Sequence, residues 1–129
     1  MKELAIRLQR GSDLKKSIEE ICKDINTAVV LSGVGCVYEL HLRMAGAKDY
    51  LQSCADYEIV SLTGTVSNGK AHIHMSAADV NGHCFGGHLE YGCLIDTTCE
   101  LVLGILEEYE SYREYDENVG FKEIVFKRK

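Results

Sequence analysis

The sequence lacks proline altogether, has no long apolar run and carries fewer basic than acidic side chains. Without proline it cannot contain the Arg-Gly-Arg-Pro hook with which some proteins enter the minor groove of DNA. Its 14 Lys and Arg residues stand against 20 Asp and Glu residues, which gives a net charge of −6. Because proteins bind duplex DNA largely by neutralising its phosphates with basic side chains, this composition argues against DNA as a partner.

The chain also lacks the signals that direct a protein into or across a membrane. It has no run of about 18 apolar residues, and residues 1–12 show neither a long apolar region nor a small-residue cleavage site. We therefore expect a cytoplasmic protein that does not interact with membranes. Six cysteines occur without any CxxC pair, and in a protein that is not exported they predict reduced, mostly buried thiols rather than disulfides.

Length and hydrophobic spacing predict one domain with an N-terminal helix. With 129 residues, 46% of them hydrophobic, the chain is long enough to bury its own core, so residues 1–129 are predicted to be a single domain. Apolar residues at helical spacing follow Ser12, a residue type that is favoured at helix N-caps. They predict an amphipathic helix of three to four turns that ends near Asn26 and covers one face of a sheet.

Alternating apolar residues predict that much of the remaining chain forms β-strands. Residues 2–8 and 37–44 show this alternation, residues 27–35 are a β-branched run, residues 57–66 are strongly strand-like, and residues 121–126 fit a short strand or a docking segment. Residues 45–56 have no clean period and predict a loop, while Asn68-Gly69 predicts a hairpin turn. The segment from Cys93 to Tyr109 fits a helix or a strand, and its threonines, Val102 and Gly104 favour the strand.

Four of the five histidines lie between Lys70 and Gly92, on either side of the turn sequence Asp79-Val80-Asn81-Gly82. Residues two apart on a strand point the same way, so His72 and His74 share a face. The position of His88 depends on the register of the predicted hairpin. A two-residue turn places it on the opposite face, whereas a three-residue loop with a left-handed glycine places it opposite His74.

The apolar face of this hairpin selects the three-residue loop. In that register six apolar side chains share one face, and a one-residue slip would mix them with polar ones; they are Ile73, Met75, Ala77, Phe85, Leu89 and Tyr91. The other face gathers His72, His74 and His88, with Glu90 opposite His72. Gly86 and Gly87 are expected to leave open space beside His88. His83, at the edge of the loop, is not expected to be a ligand.

Three imidazoles with an open coordination position are typical of catalytic zinc sites. The predicted cofactor is therefore Zn²⁺ or another divalent transition metal, since Ni²⁺ and Fe²⁺ also accept imidazole ligands. Glu90 is a candidate fourth ligand, partner of a ligand or general base, and Glu58 is a second candidate for proton transfer. The alternative interpretation is that the histidines are polar side chains on a solvated face.

Five segments of the sequence resemble the PPC domain (plants and prokaryotes conserved domain) over nearly the full length. They are RLQRGSDLKKSIEEI, VVLSGVG, YEIVSLTGTVS, HIHMSAADVNGHCFGGHLEYGC and YREYDENVGFKEIVF. The resemblance implies an α+β fold with a mainly antiparallel β-sheet, and a homotrimer. The implied fold is similar to that of acetolactate decarboxylase, a zinc enzyme whose HxH and GGH ligands correspond here to His72, His74 and His88.

The PPC family is often labelled DNA-binding because land-plant members join the domain to AT-hooks. The resemblance implies that in those proteins the AT-hook contacts DNA, while the PPC domain mediates trimer formation and partner binding. Where the plant motif reads Gly-Arg-Phe-Glu-Ile-Leu, this chain has Ala55 to Val60 with Asp56 in place of the arginine, so the plant partner-binding role is not carried over. Three hypotheses follow. They are a metal-dependent enzyme acting on a small oxygen-rich substrate such as a keto or hydroxy acid, a trimeric binding or regulatory module for a small-molecule ligand, and direct DNA binding, which ranks last on charge.

Overall fold

The computed structural model describes all of residues 1–129 and contains eight strands and one helix. The elements are β1 (Lys2–Gln9), α1 (Leu14–Ile21), β2 (Thr27–Arg43), β3 (Tyr50–Ser67), β4 (Lys70–Ala78), β5 (Cys84–Leu89), β6 (Leu94–Ile105), β7 (Tyr109–Asp116) and β8 (Phe121–Arg128). The chain therefore has an α+β fold that consists mostly of antiparallel β-structure.

Six of the strands form one antiparallel sheet in the order β1-β6-β2-β3-β4-β5. The sheet also closes on itself, because β5 pairs with the end of β2 through Leu42 with Leu89 and Arg43 with His88. Strands β7 and β8 pair only with each other, and we call this two-stranded hairpin (residues 109–128) the arm. The closure matters for function because it places a residue of β2 next to a histidine of β5.

The hydrophobic core lies on one side of the large sheet and includes the helix. Leu14 and Ile18 of α1 are completely buried, together with Leu42 of β2, Ile73 of β4 and Leu89 of β5. The single helix, eight residues long, is too short to cross a membrane. All six cysteines are free, but only Cys22, Cys93 and Cys99 are buried, so the expectation of mostly buried thiols holds for half of them.

The helix is shorter than predicted and begins one residue later. Its N-cap is Asp13, not Ser12, since the Asp13 side chain accepts a hydrogen bond from the Lys16 backbone N–H. The helix ends at Ile21, although the apolar spacing continues to Ile25. Residues after Ile21 form a turn in which the Ile25 N–H donates to the Cys22 carbonyl, so apolar residues of the turn reach the core without being helical.

The strands are longer than the alternating pattern indicates. The two segments predicted at 27–35 and 37–44 form one strand, β2, which carries bulges. The predicted loop at 45–56 is wrong beyond residue 49, because β3 begins at Tyr50 and pairs with Arg43. Five of the seven β3 residues before Tyr57 are exposed and none is buried, so this part of the strand lacks the apolar alternation on which the prediction depended.

The predictions for the C-terminal half are largely confirmed. The ambiguous segment is a strand, β6, and Asn68 and Gly69 both have positive φ in the predicted hairpin turn. The segment FKEIVF lies in β8. Its partner β7 was not predicted, because its sequence YESYREYD has no two-residue alternation of apolar and polar side chains and only Ser111 is buried.

Candidate metal centre

The β4–β5 hairpin has the register predicted from its apolar face. His74 pairs with His88, and Ala78 pairs with Cys84 at the loop end. Gly82 has a left-handed φ of 82°, and the Asp79 N–H donates to the His83 carbonyl across the loop. This geometry is that of the three-residue loop, in which the glycine conformation is required to reverse the chain.

The hairpin brings the three histidines together. The ligand atoms of His72, His74 and His88 all lie within 4.8 Å of one another. Their ring centroids are 5.2 to 5.7 Å apart in the three pairs. All three side chains are at least partly accessible, and His74 is exposed. The sequence therefore identified the members of a cluster whose donor atoms are positioned to converge on one ion.

The other candidates named from the sequence lie elsewhere. His83 is 75% exposed at the loop beside Asp79. Glu90 is not placed opposite His72, because β5 ends at Leu89 and the Glu90 backbone turns to bond the His41 carbonyl. Neither residue lines the cavities beside the histidines.

Glu58 lies at the far end of β4 from the histidines. It pairs with Ala78, which is four residues from His74, or about 13 Å along a strand. Glu58 lines a separate cavity of about 460 Å³ with three other carboxylates, those of Asp56, Asp79 and Asp96. The catalytic roles given to Glu58 and Glu90 remain predictions, and the structure does not bring either carboxylate to the histidine cluster.

Two further details of the predicted hairpin are corrected. Phe85 and Tyr91 are 38% and 46% exposed and do not belong to the core; Tyr91 instead donates a hydrogen bond from its hydroxyl to Glu19 of the helix. Gly87 does not leave open space, because a Cβ there would meet the Arg43 carbonyl oxygen at 2.6 Å. The glycine is needed so that β5 can approach β2, which places His88 beside Arg43.

Basic side chains that sequence reasoning did not associate with the site surround the histidines. Arg43 Nη2 lies 3.4 Å from His88 Nδ1. From the arm, Arg113 and Lys122 line a cavity of about 340 Å³ together with His72 and His88. No local pattern indicates these contacts, because they arise from the pairing of β5 with β2 and from the position of the arm.

The same surroundings lower the pKa values of two histidines. The pKa of His88 falls from 6.5 to about 4, mainly because partial burial penalises its charged form and secondly because Arg43 repels it. The pKa of His72 is also lowered, by burial first and by Arg113 second, with Glu123 acting in the opposite direction. These two imidazoles are therefore neutral at pH 7, the form that binds metals.

The donor set fits a borderline divalent metal. Imidazoles are ligands that Zn²⁺, Ni²⁺ and Fe²⁺ accept. Zn²⁺ bonds imidazole nitrogen at about 2.0–2.1 Å, so small rotations of these accessible rings bring their nitrogens into range. A cavity of about 550 Å³ opens beside the cluster and is lined by all three histidines. Its accessibility leaves room for a fourth ligand supplied by water or by a small molecule.

Comparison with known proteins identifies related sequences. A family model described as the Plants and Prokaryotes Conserved (PCC) domain matches residues 1–107. Two curated relatives from Synechococcus, both named bifunctional protein GlmU, are 38% and 37% identical over 92% and 96% of this chain. The alignments cover 20% of each relative, so the chain spans about a fifth of their length.

Solved structures with the same fold extend the likeness over the arm. A hypothetical protein from Salmonella enterica has a TM-score of 0.94, 26% identity and coverage of 98% of this chain and 94% of its own. A metal-containing protein from Archaeoglobus fulgidus has a TM-score of 0.77, 30% identity and coverage of 97% and 94%. A protein from Bacteroides thetaiotaomicron, described as a candidate DNA-binding protein, has a TM-score of 0.84 and coverage of 98% and 93%, and at 23% identity it shows the fold alone.

Proposed function

The chain belongs to the Plants and Prokaryotes Conserved (PCC) domain family, and on this premise we propose a metal-dependent function centred on His72, His74 and His88. The protein binds one divalent transition metal ion per chain, with Zn²⁺ as the first candidate. It uses this ion to act on a small oxygen-rich substrate.

The observation that carries this proposal is the convergence of three imidazoles on one face of a single hairpin. Their ligand atoms lie within 4.8 Å of one another, and the apolar core on the other face fixes the register that holds them there. The name of the metal-containing relative from Archaeoglobus fulgidus adds support. The alternative, that the histidines are only polar side chains on a solvated face, gives no reason for them to cluster at the edge of a cavity. It also gives no reason for the lowered pKa values of His72 and His88.

The residues of the site divide into ligands and groups that handle the substrate. The bound metal would polarise a carbonyl or lower the pKa of a bound water. The histidines hold the ion, and their partial burial keeps His72 and His88 uncharged. Glu123 of the arm is the only carboxylate that lines either cavity beside the histidines, so we add it to Glu90 and Glu58 as a candidate group to move a proton.

Cobalt substitution tests the open coordination position. We expect the visible absorption of the Co²⁺-loaded protein to shift when acetohydroxamate is added, because a three-histidine site has a position for an oxygen ligand. The His88→Asn variant, which loses one ligand, is expected to give a different spectrum and weaker Co²⁺ binding. A wild-type spectrum that does not respond to the added ligand would indicate a closed site and favour the non-catalytic binding module.

A homotrimer and a cytoplasmic location complete the proposal. Three large apolar side chains, Leu31 and Val34 on β2 and Val60 on β3, are 45%, 54% and 58% exposed. Such side chains on neighbouring strands are suited to burial against other copies of the chain. The six unpaired thiols fit a reducing compartment.

A further inference from the structure

Positive charge is concentrated around the histidine cluster although the whole chain is acidic. The cavity of about 340 Å³ between the large sheet and the arm has Arg43 on one wall and Arg113 and Lys122 on another. Glu123 is the only acidic residue of its lining. Three basic side chains that line one cavity beside the histidines suit an anion bound between them.

Arg43 contacts His88 directly. Its Nη2 lies 3.4 Å from His88 Nδ1, and because a guanidinium only donates hydrogen bonds, Nδ1 must be the acceptor. The neutral imidazole then carries its proton on Nε2. The contact follows from the fold, since Arg43 and His88 are cross-strand partners in the closure of β5 on β2.

Metal binding to His88 is incompatible with this contact. A metal-bound imidazole coordinates through one nitrogen and carries its proton on the other. If Nε2 coordinates, Nδ1 becomes a donor and cannot accept from Arg43; if Nδ1 coordinates, its lone pair is occupied. In both cases a metal on His88 would leave the Arg43 guanidinium, which lines the adjoining cavity, without this acceptor.

The arm presents a second guanidinium to the same cavity. Arg113 is half-buried on β7 and also donates from Nη1 to the Lys122 carbonyl, 3.4 Å away. Guanidinium groups bind carboxylates through paired, charge-assisted hydrogen bonds. A volume of about 340 Å³ corresponds to roughly ten water molecules, which suits an organic acid of a few carbon atoms.

We propose that this cavity binds the carboxylate of a small acid that carries a hydroxyl or oxo group on the adjacent carbon. Arg43 and Arg113 hold the carboxylate, and the adjacent oxygen faces the histidines. Because Arg43 contacts His88, a carboxylate held by Arg43 would lie next to the metal position, with an oxygen on its adjacent carbon directed towards the histidines. The proposal rests on the metal function proposed above.

Calorimetric titration of lactate into the Zn²⁺-loaded protein tests this proposal. We expect the Arg43→Gln and Arg113→Gln variants each to bind lactate about tenfold or more weakly, as expected for loss of a charge-assisted pair. Arg128→Gln, on the same arm but paired with Glu108 at its base, is the matched control and should bind as the wild type does. Propionate, which lacks the second oxygen, should bind the wild type at least about tenfold more weakly than lactate.

Zinc affinity, measured against a chromophoric chelator without lactate, gives a second readout. We expect Arg43→Gln to bind Zn²⁺ about three- to tenfold more tightly, since a competing positive charge is removed. A merely structural role for Arg43 would weaken both metal and lactate binding. If the wild type binds no zinc, the metal function fails; if zinc binds but lactate affinity is the same in all variants, or phosphate binds as tightly as lactate, the carboxylate proposal is overturned.

Discussion

At the scale of single residues, the site depends on a balance between imidazoles and neighbouring cations. Partial burial and the charges of Arg43 and Arg113 keep His88 and His72 unprotonated, which prepares them for a metal without a prior loss of protons. The same cations oppose a divalent ion. We therefore expect the neighbouring cations to lower the affinity of the three histidines for a divalent ion.

The titration of His88 follows from this balance. In the metal-free protein we expect its NMR titration midpoint near pH 4, since its pKa is lowered from 6.5 to about 4. Between these values the unfolded chain binds more protons than the folded protein, so stability falls as the pH drops from 6.5 towards 4. In Arg43→Gln the midpoint should rise, without reaching 6.5, because burial remains. A wild-type midpoint near 6.5 would contradict this account.

Substitution of the two adjacent glycines of β5 by alanine is expected to affect stability differently. A Cβ at Gly87 would lie 2.6 Å from the Arg43 carbonyl oxygen, whereas one at Gly86 would meet its nearest atom at 3.4 Å. We expect Gly87→Ala to lower the free energy of unfolding by about 1–3 kcal/mol and to weaken zinc binding, because β5 must move away from β2. Gly86→Ala should change stability by no more than about 0.5 kcal/mol. Urea denaturation of both variants checks the difference, and equal effects would disprove it.

At the scale of elements, the sequence was informative where apolar and polar faces alternate. The register of β4 with β5, and with it the histidine cluster, could be predicted because only one register separates the apolar side chains from the histidines. The pairing of Arg43 with His88 could not, since it depends on how β5 closes on a strand that lies 45 residues away in sequence. Strand β7 was missed because it buries only Ser111.

Polar contacts of Asn26 and its neighbours connect Ser111 of the arm to the sheet. Its amide donates to the Asn68 side chain at 2.8 Å and to the Ser111 carbonyl at 3.1 Å, and its Oδ1 accepts from the Ser111 N–H at 2.7 Å. Ser111 also bonds Ser67 and Thr27 through its hydroxyl. This network fixes the strand that brings Arg113 to the histidine site.

Removal of the Asn26 side chain should loosen the arm. In Asn26→Ala we expect faster backbone hydrogen exchange across residues 109–128 and a loss of about 1–3 kcal/mol in stability, because buried partners on Ser111 are left unsatisfied. Asn118→Ala, in the exposed turn of the arm, serves as the control and should leave exchange elsewhere in the arm unchanged. Equal protection of β7 in wild type and Asn26→Ala would show that other contacts hold it.

At the scale of the whole molecule, the net charge and the exposed apolar side chains determine which partners the protein can bind. The net charge of −6 opposes contact with phosphate backbones, while the exposed apolar side chains of β2 and β3 favour association with other copies. The first feature was evident from composition. The second was not, because apolar residues that face a partner look the same in sequence as those that face the core.

Self-association can be tested at Val60, which is 58% exposed on β3. If this face lies between subunits, Val60→Glu buries a charge there and should convert the proposed trimer to the monomer of 14.4 kDa. Val119→Glu, at a position that is 52% exposed in the arm turn, is the matched control and should stay trimeric. Analytical ultracentrifugation distinguishes the outcomes, and a trimer in both variants would exclude this face.

The central claim, that three histidines on one hairpin hold a metal, is tested most directly by counting metal ions. The purified chain is equilibrated with Zn²⁺, freed of excess ion and measured by plasma mass spectrometry beside a His72→Asn, His74→Asn, His88→Asn variant. We expect close to one zinc per chain in the wild type and essentially none in the variant, with both proteins folded by circular dichroism. A wild type without zinc, or a variant that retains it, would contradict the account.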